Sequence, residues 1–339
     1  MTRMKKVLVV GGAGYVGSVL VPKLLQAGYK VRVFDLYLYS NSKKLGEDVF
    51  DQWTTHKNLE QIKSDVRNAQ AIEKAVKGMD AIIHLACISN DPSFELDRAL
   101  GKSINYLAFF PFLKAVKKHR TKRLIFASTG SVYGVKKESQ VTEDLPLEPL
   151  TDYGLYKVFC EKAIADHVSL LKTCWVILRF ATVCGYAPRM RLDLTVNILT
   201  NLAINKGAIT VFGGTQTRPN IHIQDATNTY IQMLTYPPKK IAGQIFNVST
   251  DNLSVMEVAQ KVKKIVGKHV GITTSPTDDL RSYRLSAQKI SKTLQWKAQF
   301  TVDDAIRDLV VAFQEGKIPN SLENPIYYNI KTMQQKKLT

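Results

Sequence analysis

The sequence predicts an α/β protein: a doubly wound parallel sheet followed by a smaller C-terminal lobe. Three observations carry that expectation. Short β-branched runs alternate with helix-length amphipathic segments over roughly the first 180 residues. The first of these runs ends in a glycine-rich turn that leads into a helical pattern. Beyond about residue 180 the elements shorten and Gly and Pro punctuate them.

Taken in order, strands are expected at 6–10, 30–34, 81–85, 123–128 and 175–179, with helical patterns between them. Strands separated by helices cannot pair as hairpins, so they pair in parallel, with helices covering both faces. Pro188, Gly207, Gly213, Gly214, Pro219, Pro237 and Pro238 break up the later chain, and helices are expected near 254–266 and 302–314. This divides the chain into a first domain over 1–180, to which it returns at about 220–252, and a smaller lobe from 181–219 and 253–330. Residues 331–339 read as a flexible tail.

The bulk composition excludes several classes. With 339 residues, 45% of them hydrophobic and 22% charged, the chain can bury a substantial core. No apolar stretch approaches the roughly 20 residues that span a bilayer. Lys5 and Lys6 precede an apolar run, but the run is too short for a signal peptide and stops at Gly11 and Gly12. Cys87, Cys160, Cys174 and Cys184 are scattered in apolar segments with no C-x-x-C pair, so neither a disulfide framework nor a metal site is expected, and a reducing cytoplasm fits. The net charge of +18 is unusual. Its densest run, from Lys114 to Arg123, falls where a helix should end, where cations favour the helix dipole, and no nucleic-acid motif accompanies it. Neither nucleic acid nor membrane is expected as a partner.

The chemistry begins at the first turn. Val7 to Val10, then Gly11-Gly12-Ala13-Gly14-Tyr15-Val16-Gly17, reads as strand, turn and helix with G-x-x-G-x-x-G spacing. Gly11 and Gly14 permit a tight turn and close approach of a pyrophosphate to the helix N-terminus, where the Tyr15 and Val16 backbone lies. Gly17 lets helix and strand pack closely. Asp35 stands at the end of the second strand, where a carboxylate accepts from both adenosine ribose hydroxyls and repels a 2′-phosphate. The first domain therefore reads as Rossmann-type, and the cofactor as NAD.

A second constellation lies downstream. Tyr153 and Lys157 are four apart, hence on one helix face. A phenol with an ordinary pKa of about 10 is a poor base at neutral pH, so an adjacent ammonium is needed to stabilise its phenolate. Ser128 and Thr129 sit at the carboxyl end of another strand, the side on which open α/β sheets bind ligands.

In this combination the sequence resembles the extended short-chain dehydrogenases, in particular the NAD-dependent epimerase/dehydratase group acting on nucleotide-sugars, over about residues 4–315. The resemblance implies roles for further residues. Ser64-Asp65-Val66-Arg67 resembles the adenine-contacting turn, through the Asp65 side chain and the Val66 N–H. His84-Leu85-Ala86-Cys87 resembles the strand end beside the pyrophosphate and nicotinamide ribose, and Asn105 the structural asparagine of the next helix, grouped with the cofactor site. The run Ser128 to Gly134 matches S-[ST]-x-x-V-Y-G, which implies that Thr129 acts with Tyr153 on the substrate oxygen. Thr182, Arg218 and Arg281 fall in segments that resemble the substrate-binding ones, and the two guanidiniums suit a diphosphate.

The departures are informative. Val10 replaces a common threonine and Tyr156 the usual small hydroxyl residue, neither of which should abolish cofactor binding. Thr182 replaces a frequent asparagine. Gly130 and Ser131 follow Thr129 where 4,6-dehydratases carry an acid pair and decarboxylases commonly a glutamate, so both activities are disfavoured. What remains is oxidation of the sugar C4 hydroxyl to a 4-keto intermediate. Return of hydride to the other face makes a 4-epimerase; release of the ketone makes a net 4-dehydrogenase, and the reverse a 4-keto reductase. A dinucleotide-binding scaffold without turnover is the non-enzymatic alternative, against which Tyr153 and Lys157 argue. The resemblance also implies a homodimer through helices at about 97–118 and 153–170, where Phe109, Phe110, Phe112, Val158 and Phe159 serve either an interface or the core.

Overall fold

Val7, Leu8, Val9 and Val10 are wholly buried, the expected fate of four consecutive apolar residues on a strand covered on both faces. Val7 and Val9 join one apolar cluster and Leu8 and Val10 another, because successive side chains of a strand leave opposite faces. The computed structural model describes residues 4–89, 91–168, 173–277 and 282–336. Its described strands are β1 (Lys6–Val10), β2 (Lys30–Asp35), β3 (Leu59–Lys63), β4 (Ala81–His84), β5 (Arg123–Thr129), β6 (Cys174–Phe180), β7 (Thr182–Cys184), β8 (Ala208–Phe212), β9 (Thr217–His222), β10 (Gln244–Val248), β11 (Asp251–Ser254) and β12 (Gly271–Ser275).

Seven of these form one parallel sheet in the order β3-β2-β1-β4-β5-β6-β10. The order reverses direction at β1, whose neighbours are β2 and β4. The crevice outside the carboxyl ends of β1, β2 and β4 is thus the topological switch point where doubly wound sheets take their ligands. Register keeps those ends level, with Val10 opposite both Phe34 and His84.

The smaller lobe holds a three-stranded sheet, β11-β9-β7, and a two-stranded one, β12-β8. Helices Thr195–Lys206, Val255–Val266 and Val302–Gln314 pack around Val196, Val258, Val262 and Ile306. The last two helices open with reciprocal capping boxes, Ser254 with Glu257 and Thr301 with Asp304, which satisfy N–H groups that a helix start leaves unpaired. The helix Ile223–Thr235, between these strands, packs back against Tyr15–Gln26. Among the described residues no helix is long and apolar enough to cross a membrane, and all four cysteines are unpaired.

One expectation is corrected. Residues 331–336, read as tail, continue a helix, Asn329–Lys336, with Thr332 and Met333 buried. Met333 joins a cluster with Ile88, Phe94, Leu100 and Tyr153, and Thr332 donates to the Pro325 carbonyl at 2.7 Å, so a segment too polar to order itself is ordered by tertiary contacts. Residues 337–339 lie outside the described ones.

Candidate active site

The glycine turn is tight for reasons the structure makes specific. Gly11 has φ +84°, and a Cβ there would lie 2.5 Å from the Ala86 nitrogen. A Cβ on Gly17 would lie 2.2 Å from the Gly12 carbonyl oxygen, so helix and turn can meet only without a side chain. Gly14 begins the helix Tyr15–Gln26 with extended backbone, and no side chain of the described residues caps it. The first-turn N–H groups are left facing the crevice, together with the positive end of the helix dipole.

Asp35, at the end of β2, closes this turn. Its Oδ2 accepts from the Ala13 N–H at 2.9 Å and its Oδ1 from the Tyr37 N–H at 2.7 Å. Burial pushes its carboxyl above the usual range, opposed by these two donors and by Arg189. The residue assigned to the ribose is therefore also a staple between the glycine turn and the segment after β2. Arg32 is turned away, its guanidinium on Glu60 and on the carbonyls of Ala75 and Lys77.

A single cavity of about 500 Å³ runs from this turn to the catalytic pair. Gly11, Gly14, Val16, Gly17, Asp35, Asp65, Val66, Leu85 and Ala86 line one part of it, and Thr129, Tyr153, Lys157, Thr182 and Arg218 another. Asp65 meets it with its carboxylate already held by Arg67, at 2.8 Å from Nη2. Tyr15 lines the cavity too, but its hydroxyl donates to the Gly185 carbonyl at 2.5 Å and accepts from Asn197 at 3.1 Å, so its side chain locks the two lobes together.

One assignment changes. Asn105 stands behind the wall of the cavity: its amide oxygen accepts from the Ile88 N–H at 2.8 Å and its amide nitrogen donates to the Ile88 carbonyl at 2.9 Å. With both ends of its amide on Ile88 it shapes the loop after β4, and it is not among the residues that line the cavity. It lies in a single π-helical turn, Ser103–Leu107. Arg281, with Asp279 and Leu280, falls outside the described residues.

The helix that carries Tyr153 and Lys157 is held by a third residue, Glu161, which the sequence analysis does not single out. Tyr153, Lys157 and Glu161 repeat every four residues on the helix Asp152–Val168, hence along one face. Glu161 is buried; it accepts from Ser128 Oγ at 2.5 Å on β5 and pairs with Arg179 at 2.7 Å on β6. Arg179 continues to the Tyr133 hydroxyl at 2.7 Å, and Tyr133 donates to Asn247 on β10 at 2.8 Å. One carboxylate thus clamps the helix to two adjacent strands. Four-residue spacing beyond Lys157 was the available signal.

Lys157, itself buried, donates from Nζ to the Ala127 carbonyl at 2.8 Å, with Nζ 5.9 Å from the centre of the Tyr153 ring. The ammonium is held where it favours a phenolate. Thr129 accepts from the Ser131 N–H at 3.2 Å and ends β5 at the cavity. Beside it, a Cβ on Gly130 would lie 3.1 Å from both Cε2 and Oη of Tyr283, which also lines the cavity. Behind this region His84 is packed edge-on to Phe109 and against Phe112, and burial, with Lys157 nearby, pulls its pKa down to about 3.

Three further lining residues come from the lobe and were not foreseen. Arg191 pairs with Asp193 at 2.9 Å and donates to Ser89 at 3.0 Å. Arg189 stacks on the Tyr39 ring at 3.6 Å, while its Nε and Nη1 have no partner among the described residues. Burial pulls its pKa down to about 10. Nothing in their spacing distinguished these residues from surface charges.

The residues present fit a dinucleotide: an uncapped helix start, a glycine turn with no room for side chains, and a carboxylate one strand away. Comparison with known proteins agrees. The profile of the NAD dependent epimerase/dehydratase family matches residues 7–249. A UDP-glucose 4-epimerase of Lactobacillus helveticus is 29% identical over 326 residues, covering 89% of this chain and 94% of that one. UDP-glucose 4-epimerase 2 of Arabidopsis thaliana is also 29% identical, with coverages of 90% and 94%. The crystal structure of a UDP-glucuronic acid 4-epimerase from Bacillus cereus, in complex with UDP-glucuronic acid and NAD, superposes with a TM-score of 0.82 at 26% identity, covering 91% of this chain and 99% of that one. With the glycine turn, Asp35 and the Tyr153–Lys157 pair all inside the matched segment, the chain belongs to the NAD-dependent epimerase/dehydratase family of enzymes.

Proposed function

We propose that this enzyme is a nucleotide-sugar 4-epimerase. One observation carries the reading: Thr129, Tyr153 and Lys157 line the same cavity as the glycine turn and Asp35, so a sugar hydroxyl and a nicotinamide can meet there. NAD, when bound, takes a hydride from the sugar C4 and returns it.

The chain's own residues supply the rest. Tyr153 as phenolate accepts the proton of the C4 hydroxyl; Lys157 stabilises that phenolate; Thr129 holds the same oxygen through its hydroxyl. Arg218 on β9 faces the substrate diphosphate, and Thr182 on β7 lies beside it. When the ketone presents its other face, Tyr153 returns the proton and the product is the C4 epimer.

Gly130 and Tyr283 support this reading over a dehydratase. The slot after Thr129, where an acid would be needed to remove water, holds Gly130 against the Tyr283 ring, which a side chain there would have to displace by a few tenths of an ångström.

The test is a panel of UDP-, GDP-, dTDP- and CDP-sugars incubated with purified protein. Isomerisation at unchanged mass supports the epimerase. Loss of two hydrogens with the absorbance of reduced nicotinamide overturns it in favour of a 4-dehydrogenase, and loss of water in favour of a dehydratase.

We further propose a homodimer. Leu107 and Phe159, 50% and 38% exposed, make an apolar surface on the helices expected to pair, whereas Phe109 and Phe112 are core residues. The unpaired cysteines fit a cytoplasmic setting.

A further inference from the structure

The helix Asn329–Lys336 lies across the mouth of the crevice. At its start Asn329, 2% exposed, donates from its amide to Ser89 Oγ at 3.1 Å and accepts from Arg189 Nη2 at 2.6 Å. Its backbone N–H donates to Asp193 at 3.2 Å. In the middle, Met333 packs with Ile88 and Tyr153, and Leu38 and Cys87 border the same cluster. At its end Lys336 donates to the Leu38 carbonyl.

These contacts have a topological meaning. Leu38 belongs to the segment after β2, and Cys87, Ile88 and Ser89 to the segment after β4. These two segments flank β1 at the switch point. The helix therefore bridges both banks of the crevice, and Asn329 and Met333 line the cavity beneath it. A dinucleotide running from Asp35 and Gly14 to Tyr153 and Lys157 passes under this bridge. The strap leading to it is tied down as well, through Leu192 N–H to the Tyr327 carbonyl at 2.8 Å and the Tyr328 hydroxyl to the Ser321 carbonyl at 2.8 Å.

We propose that the C-terminal helix is the outer wall of the dinucleotide site and retains the cofactor from one turnover to the next, with Met333 as its anchor and Asn329 as the residue that positions Arg189. The proposal rests on the location of the dinucleotide given above. It has a chemical consequence: an enzyme that returns the hydride to the same sugar never needs to exchange its cofactor, whereas one that releases a ketone must. A bridge across the crevice suits the first.

The experiment follows cofactor dissociation with no sugar present, so it is independent of which reaction the enzyme performs. The full-length chain, Met333→Asp, Asn329→Ala, Asn329→Asp and a chain ending at Tyr328 are loaded with reduced NAD. Release is read from nicotinamide fluorescence on adding excess oxidised NAD, with circular dichroism and a melting curve for each protein. Placing a charge on the buried Met333 side chain is expected to speed release by about 10- to 100-fold, and the truncation by at least as much. Asn329→Ala is expected to speed it by about 5- to 10-fold, and Asn329→Asp, which keeps an acceptor for Arg189, to restore most of the full-length rate. If the truncated chain does not fold, Met333→Asp and Asn329→Ala decide. Release at the full-length rate from folded variants overturns the role of the helix while leaving the cofactor site intact. Failure of the full-length chain to bind NAD at all overturns both.

Discussion

The dinucleotide half and the sugar half of this cavity are built on opposite principles. The first rests mainly on backbone from one short stretch, a glycine turn, a helix start and a strand end within residues 7–35, to which Asp65, Val66, Leu85 and Ala86 add. The second is made of side chains drawn from β5, the helix Asp152–Val168, β7 and β9. A backbone site needs glycines at set spacing and little else. A side-chain site needs each group held by another, which is why Ser128, Glu161 and Arg179 sit buried behind the catalytic pair. The contrast predicts that damage to the first half shows in cofactor binding, and damage to the second in turnover or in folding.

The sharpest test is Tyr153→Phe, which removes the proton acceptor and leaves the backbone cradle intact. Turnover is expected to fall by roughly 10² to 10⁴ with NAD affinity unchanged in titration. An equal loss in both would erase the contrast.

Glu161→Gln probes what holds the side-chain half. Arg179, buried and 2.7 Å away, would lose its counter-charge, and unfolding in denaturant should show a loss of about 3–5 kcal/mol. A change below about 1 kcal/mol would mean that the clamp is not what places Tyr153 and Lys157.

Asp35→Ala tests the backbone half. NAD is expected to weaken by about 10- to 100-fold while NADP weakens little, since the lost carboxylate no longer repels a 2′-phosphate. Because Asp35 also accepts from Ala13 and Tyr37, a fall in melting temperature should accompany the change. Unaltered selectivity would show that Asp35 is a staple only.

The last test is a pH dependence, which is felt only below neutral pH. His84 stays neutral in the folded protein down to about 3, while in the unfolded chain it binds a proton below its ordinary value of 6.5. The unfolded state therefore binds more protons between those values, and stability falls as pH falls through that window. His84→Asn should flatten this part of the stability–pH curve, measured by denaturant unfolding at pH steps. A curve unchanged by the substitution would show that His84 is not the group responsible.

How much of this was legible beforehand follows from the same contrast. β1 and the glycine turn could be read because four buried apolar residues and three spaced glycines are local signals. β3 and β10 were not read as strands: β3 is an edge strand of sequence Leu-Glu-Gln-Ile-Lys with none of its residues fully buried, and β10 opens on Gln244. Tyr153 and Lys157 stood out by their spacing. Glu161 has the same spacing, but its partners Ser128 and Arg179 come from other strands, and no local pattern announces them.

The fold class, the glycine turn with Asp35 at the end of the next strand, the Tyr153–Lys157 pair on one helix face and the lack of an acid after Thr129 could all be read from the chain alone. Each depends on local spacing within an element or on the regular succession of elements, where backbone geometry converts spacing into position. Only the tertiary structure decided that Tyr283 fills the space beside Gly130, that Asn105 stands behind the cavity, that Arg189, Arg191 and Asp193 face it, and that residues 329–336 form a helix across it. Those are contacts between segments from some 17 to 240 residues apart, as the Asn105–Ile88 and Asn329–Ser89 bonds bracket them, and chain spacing carries no information about which distant surfaces meet. Packing chooses them, and here the buried Thr332 and Met333 hold against the cavity a segment that reads as a tail.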